Sequence, residues 1–256
     1  MNYLKSVFTP NEPHGTRSVM MILAGWVTVW LTFWTLTRPI IFPSPWDVIA
    51  AFPGLWLQNG LGQEMISSFL SNIEALIFSI LIAFPLAYIV RVAAFRPLAL
   101  ALSKLRFLSP IVFYTIGISF CEGGQVKILL LVMGEVFFLV TSMIDIVEAI
   151  PNYQYDDART LRHTEWESIY YVVIRGTLAQ AFDAIRANAA MGWSMLMMVE
   201  GAVRSGGGVG VMLLDNQKHV NFAEIYAIAI AIVLVGIGQD MLLNQMKLAL
   251  CRWVKQ

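Results

Sequence analysis

Six stretches of apolar residues, each bounded by polar or charged positions, set the pattern of this chain. Residues 19–37 carry no charge, and residues 66–90 carry only Glu74. Residues 107–121 form a shorter run with Pro110 near its start, and residues 126–144 have Lys127 at the edge and Glu135 within. Residues 178–199 and 222–243 complete the set. A helix needs about 20 largely apolar residues to cross the ~30 Å hydrocarbon core, because every backbone polar group there must be bonded inside the segment. The pattern predicts an all-α polytopic membrane helix bundle of about six transmembrane helices. Its short length and Pro110 make the third a tilted or partly buried helix shielded by neighbours.

The polar intervals differ in kind. Residues 155–175 form a charged, helix-like island, the sort of segment that presents a surface to a partner. Asp156 and Asp157 stand where a helix N-terminus favours negative charge. Ala158, Leu161, Trp166, Ile169 and Tyr170 recur at spacings near three and four, as on a helix with one face on the bundle and the other in water. Residues 42–53 combine prolines with an amphipathic run and predict an interfacial helix on the outer leaflet. The glycine-rich residues 205–210 lack the Gly-Lys-Ser/Thr ending of a phosphate-binding loop, so they read as a flexible external turn rather than a nucleotide site.

Composition sharpens the class. The chain is 58% hydrophobic and 13% charged, against roughly 45–50% and about 25% in soluble domains, which excludes an ordinary soluble fold. Net charge is zero, so no overall field favours nucleic acid, and basic residues count by position. Lys5, Arg17, Arg91, Arg96, Lys104, Arg106, Arg159, Arg162, Arg175, Lys247, Arg252 and Lys255 fall on one side of a six-span arrangement; Arg38, Lys127, Arg204 and Lys218 fall on the other. Both termini and the island are therefore expected in the cytoplasm. Residues 1–18 read as a cytoplasmic segment before an uncleaved first span, and residues 19–256 as one membrane domain.

Candidate chemistry is sparse. Cys121 and Cys251 match no metal-ligand spacing, and His14, His163 and His219 fall in different loops. No metal site, catalytic residue or nucleophile–base pair emerges, so the chain does not read as an enzyme. Glu74, Glu135, Glu200 and Asp240 interrupt or bound apolar spans, where a charge at mid-bilayer costs ~2.5–3.5 kcal/mol. Glu200 and Asp240 lie near span ends and fit structural roles. Glu135 lies deeper, either a polar group facing the interior or pathway or a buried hydrogen-bonded acid. Asp183 and Arg186 share a helix face, and Ala187, Ala189, Ala190 and Gly192 permit close helix approach.

The island and its flanks together carry a family resemblance. Asp156-Asp157-Ala158, Arg162, Val172, Ile174 and Arg175 align without gaps on the pattern Glu-Ala-Ala-x3-Gly-x9-Ile-x-Leu-Pro. Phe42-Pro43-Ser44-Pro45-Trp46-Asp47-Val48, Ala158-Arg159-Thr160-Leu161, Arg186, Val199-Glu200, Gly208-Val209-Gly210 with Leu213-Leu214, Gly236, Asp240 and Arg252-Trp253 follow in family order. From about residue 42 onward, the chain resembles permeases of the nitrate, sulfonate and taurine group of ATP-binding-cassette importers. The resemblance implies the type I importer permease fold and a coupling helix at about 155–171, with Asp156, Asp157, Ala158, Leu161, Arg162 and Trp166 toward an ATPase subunit. It implies a fifth span lining the translocation path near a dimer axis. Ser194, Met195 and Met198 are its pathway candidates, beside Glu135 and Glu200.

The implied partners are ATPase subunits that carry ATP and Mg, a second permease copy in a homodimer or heterodimer, an external substrate-binding protein and the lipid bilayer. The implied cargo is a small anion or sulfonate-like nutrient, with no cofactor in this chain and a place in the bacterial inner membrane. The chain departs from the pattern at Arg162 in place of glycine and at Arg175 and Ala179 in place of prolines. These departures leave two versions open: an adapted ATPase, or a specialised permease half paired with a different permease. A secondary transporter or channel working without an ATPase, and a non-transporting scaffold or sensor, are the readings from other classes.

Overall fold

The computed structural model describes residues 16–36 and 42–251. Within them every apolar run is helical: α1 (Thr16–Leu36), α3 (Leu61–Tyr88), α6 (Gly124–Glu148), α9 (Leu178–Val203) and α11 (Phe222–Leu250), with α5 (Tyr114–Phe120) in the third and α4 (Arg96–Lys104) just before it. Shorter helices fill the intervals: α2 (Pro45–Leu57), α7 (Asn152–Thr160), α8 (Glu165–Ser168) and α10 (Val209–Lys218). Among the described residues there is no strand. Most of the expected N-terminal segment lies outside them, as do Lys5, His14, Arg38, Arg252, Trp253 and Lys255.

Among the described residues four helices are long and apolar enough to cross a membrane: Ser18–Leu36, Leu61–Arg91, Gly124–Glu148 and Phe222–Leu250. The third expected span is not one helix. Arg96–Phe107 and Pro110–Phe120 meet at 104°, because Pro110 lacks an N–H and holds Ser109 extended at φ −65°, ψ 136°. The fifth, α9, has the length but carries Asp183, Arg186 and Glu200. It tolerates them by pairing. Arg186 binds Asp240 of α11 through two hydrogen bonds of 2.7 and 2.8 Å, and Glu200 meets Lys127 of α6 at 3.3 Å.

Helix α3 packs along α6, and α6 along α9, which also meets α10 and α11. Lipid tails are as apolar as leucine, so this association rests on van der Waals packing and internal hydrogen bonds. Small residues accordingly sit at the crossings. A β-carbon on Gly134 would stand 2.6 Å from Pro110 and 2.9 Å from the Met195 sulfur. Two large apolar cores result, and Leu76, Ile185 and Ala189 form a smaller third cluster. One gathers Leu61, Met65, Leu130, Leu131, Leu196, Val209 and Ile228; the other gathers Ala83, Ala87, Leu139, Val140, Met143, Val147 and Ala181 toward the charged island.

The expected interfacial helix is α2, started by a Ser44–Asp47 capping box with Pro45 at its first turn. It is more than a surface helix. Val48 and Leu55 are buried, and the helix packs on α11. By contrast α1 is exposed along its length and is tied to the rest through Trp34, whose indole N–H donates to the Pro43 carbonyl at 3.1 Å.

Candidate functional site

The island is built outward from the bundle. Arg91, just beyond α3, donates to the Val147 carbonyl at the end of α6 (2.6 Å) and lies 4.8 Å over the Tyr155 ring of α7. One cation thus joins three helices. Burial pushes the Tyr155 hydroxyl above its ordinary range, and the Arg91 charge opposes that shift. Ala158 is buried beneath α7, while Asp156, Asp157, Leu161, Arg162 and Trp166 are exposed. Leu161 and Trp166 are each 70% exposed, a large apolar area standing beside charges. A cleft of about 630 Å³ opens between them and the bundle, lined by Arg91, Tyr155, Asp156, Arg159, Glu165 and Trp166.

The expected single helix over 155–171 is broken. Helix α7 starts at Asn152 and has no acid in its first turn, so Asp156 and Asp157 lie one turn further on than a dipole role requires. It ends in a Schellman turn: His163 N–H donates to the Ala158 carbonyl at 3.1 Å and Arg162 N–H to the Arg159 carbonyl at 2.9 Å. Arg162 occupies the left-handed position of that turn at φ 59°, where glycine pays no Cβ penalty. The family pattern has glycine at this place. Arg162→Gly is therefore expected to raise stability by about 1 kcal/mol, seen as a higher melting midpoint in detergent; an unchanged or lower midpoint contradicts the strain.

Helix α8 restarts the chain with a Thr164–Glu167 capping box. The Thr164 backbone N–H and hydroxyl donate to Glu167 at 2.7 and 2.9 Å, and those bonds hold the Glu167 carboxyl below its ordinary range. The next seven residues, Ile169–Arg175, wind as a π-helix. At its end a β-carbon on Gly176 would stand 2.2 Å from the Val172 carbonyl oxygen. Thr177 closes the passage into α9 by donating its hydroxyl to the Val173 carbonyl at 2.6 Å. Arg175 and Ala179 keep their backbone N–H groups, which prolines would lack, and so let this near-continuous helical path form.

At the opposite end Glu200 organises a buried network. Its carboxylate accepts from Ser68 (2.7 and 3.0 Å), from Lys127 (3.3 Å) and from the Gly210 N–H (2.8 Å). Ser68 in turn accepts from the Val209 N–H at 2.9 Å, and Glu64 accepts from Gly208 N–H. The glycine-rich segment expected to be a flexible turn is instead held through three consecutive N–H groups. Lys127, expected at a span edge, is 4% exposed. Glu200 thus serves this network with both oxygens.

The pathway candidates separate by exposure. Ala187, Ala190, Met191, Ser194 and Met198 form an exposed stripe along α9, with Met195 half-buried beside it. Ser194 donates to the Met191 carbonyl at 2.7 Å, and Ser109 contacts the Met198 sulfur at 3.7 Å. Glu135 is absent from this stripe: it is fully buried among α3, α6 and α9, next to Gly192. Arg91, Ser68, Asn72, Asn188 and Gln239 complete these sites without any local signal in the chain, since their partners are remote in sequence. Among the described residues no cluster of His, Cys, Asp and Glu could hold a metal.

The helical bundle shares its fold with a chain of a solved ATP-binding-cassette importer. A solved chain of the MetNI methionine ABC transporter in an inward-facing conformation superimposes with a TM-score of 0.64, covering 77% of this chain and 97% of that one at 16% identity. No protein-family model and no curated protein matches the sequence.

Proposed function

We propose that the chain is the transmembrane permease subunit of an ATP-driven, binding-protein-dependent importer, with both termini and the island in the cytoplasm. The observation that carries this reading is the island on an importer fold: an exposed apolar and charged surface, Leu161, Trp166, Asp156, Asp157 and Arg162, fastened to three helix ends through Arg91. A surface so fastened transmits displacement to the bundle. An ATPase with ATP and Mg docks there and, on closing, carries α7 and α8 with it. The exposed stripe of α9 then meets a second permease copy, with Ser194 and Met198 facing the path between them. A loaded binding protein engages the opposite end, beside the Glu200 network. ATP and the loaded receptor shift the bundle between inward and outward access only as far as each binds one state better. The sulfonate-group resemblance supports a small anion or sulfonate-like nutrient as cargo.

Purification in mild detergent is expected to retain an ATPase subunit, and vesicles containing the complex to transport only with internal ATP. ATP-independent transport with no ATPase retained sinks the reading in favour of a secondary transporter or channel. Arg162→Glu is expected to weaken ATPase association about tenfold, roughly 1.4 kcal/mol, with membrane insertion unchanged; undiminished association contradicts the docking role of that side chain.

A further inference from the structure

Between the two apolar cores the bundle buries a polar seam of Asn72, Glu135, Asn188 and Gln239, none more than 4% exposed. Its hydrogen-bond directions are forced. The indole N–H of Trp193 can only donate, and it donates to Gln239 Oε1 at 2.7 Å. Gln239 Nε2 must then donate to Asn72 Oδ1, at 2.9 Å. Asn72 Nδ2 is left as a buried donor with no hydrogen-bond acceptor among the described residues. It lies against Gly192, as does Glu135 Oε1: the two stand 2.7 and 2.5 Å from where a β-carbon on that glycine would be. One helical turn away Asn188 is buried with neither amide atom hydrogen-bonded, and neither oxygen of Glu135 is hydrogen-bonded. The Ser79 hydroxyl is placed as a side-chain hydrogen-bond partner for the Glu135 carboxyl, but the bond it makes at ordinary distance is to the Val132 carbonyl, at 3.4 Å.

The unmet groups are complementary to one protonation state. A carboxylate only accepts, so it leaves Asn188 Oδ1 without a donor and places an uncompensated charge inside the bundle. A neutral carboxyl donates one bond and accepts others, which matches a free carbonyl on Asn188 and free N–H groups on Asn188 and Asn72. No cation is at hand to change this balance. On α3 the nearest charged side chain, Glu74, is exposed; on α6 and α9, Lys127 and Glu200 pair with each other; Arg186 of α9 pairs with Asp240 of α11. The turn at Pro110–Phe113, packed on Gly134, carries no charge.

We propose that this seam is a proton-binding site, with Glu135 holding the proton as a neutral carboxylic acid bridged to Asn188 and Asn72. The site belongs to the folded chain whether or not it couples to an ATPase. Infrared spectra of the purified protein in lipid nanodiscs at neutral pH are expected to show a carboxylic C=O band that moves on 13C-glutamate labelling and is lost in Glu135→Gln. That variant keeps a donor and an acceptor, so it is expected to fold, and to lack the share of the pH dependence of the melting midpoint that Glu135 contributes. The wild-type midpoint falls as pH rises and the seam gives up a proton that only the folded state binds. Absence of the labelled band in the wild type, or its survival in Glu135→Gln, overturns the proposal. If Glu135→Gln does not accumulate, Asn188→Ala decides: the band is expected to shift on losing its amide partner, and an unmoved band overturns the assignment.

Discussion

Gly208→Ala is expected to destabilise the fold by about 3–5 kcal/mol, combining backbone strain with overpacking. Gly208 sits at φ 112°, and an added β-carbon would stand 2.1 to 2.4 Å from the Glu200 carboxyl group. Neither party can yield. Glu200 is held from three directions by Ser68, Lys127 and the Gly210 N–H, and the Gly208 N–H is itself committed to Glu64. Gly206 provides the control, since a β-carbon there meets nothing closer than 3.4 Å and its φ is ordinary. Thermal unfolding in detergent is expected to show a large drop for Gly208→Ala and little change for Gly206→Ala. Equal midpoints for the two variants contradict the pinned segment.

The second large effect concerns the buried pair at the same place. Lys127→Ala leaves Glu200 buried without its cation and is expected to cost about 3–5 kcal/mol. Truncating one member of a buried pair costs more than the pair itself contributes, because the survivor keeps its desolvation penalty. The double variant Lys127→Met with Glu200→Gln removes both charges and keeps an acceptor for Ser68 and Gly210. It is therefore expected to be more stable than Lys127→Ala alone. A double variant that loses the sum of two single losses shows that the pair is not coupled.

The helices were legible because a membrane span writes its length into an apolar run: α1, α3, α6 and α11 lie where residues 19–37, 66–90, 126–144 and 222–243 placed them. The bend of the third span was only half legible. Pro110 marks a break, but neither the 104° angle nor the seat of Pro110 against Gly134 of α6 is written locally. The island was legible as charge in an apolar chain. Its Schellman turn was not, because arginine at φ 59° violates the preference that normally signals one, and only the glycine of the family pattern points to the position. Least legible were the buried polar groups. Lys127 and Glu200 lie 73 positions apart, and Asn72 and Gln239 lie 167 apart; no local periodicity joins such partners. The glycine-rich segment was misjudged for the same reason, since the acids that fix it come from α3 and α9.

The π-helix at Ile169–Arg175 sets how the chain tolerates changes of length. A π turn holds one residue more than an α turn, so this segment carries slack that the rest of the path lacks. A one-residue deletion inside it can be absorbed by tightening to an ordinary helix, leaving everything downstream in phase. The same deletion early in α9 would swing Ser194 and Met198 by about 100° around the helix axis. Insertions and deletions among relatives of this chain should therefore collect between the exposed island and α9, and be rare within α9 itself.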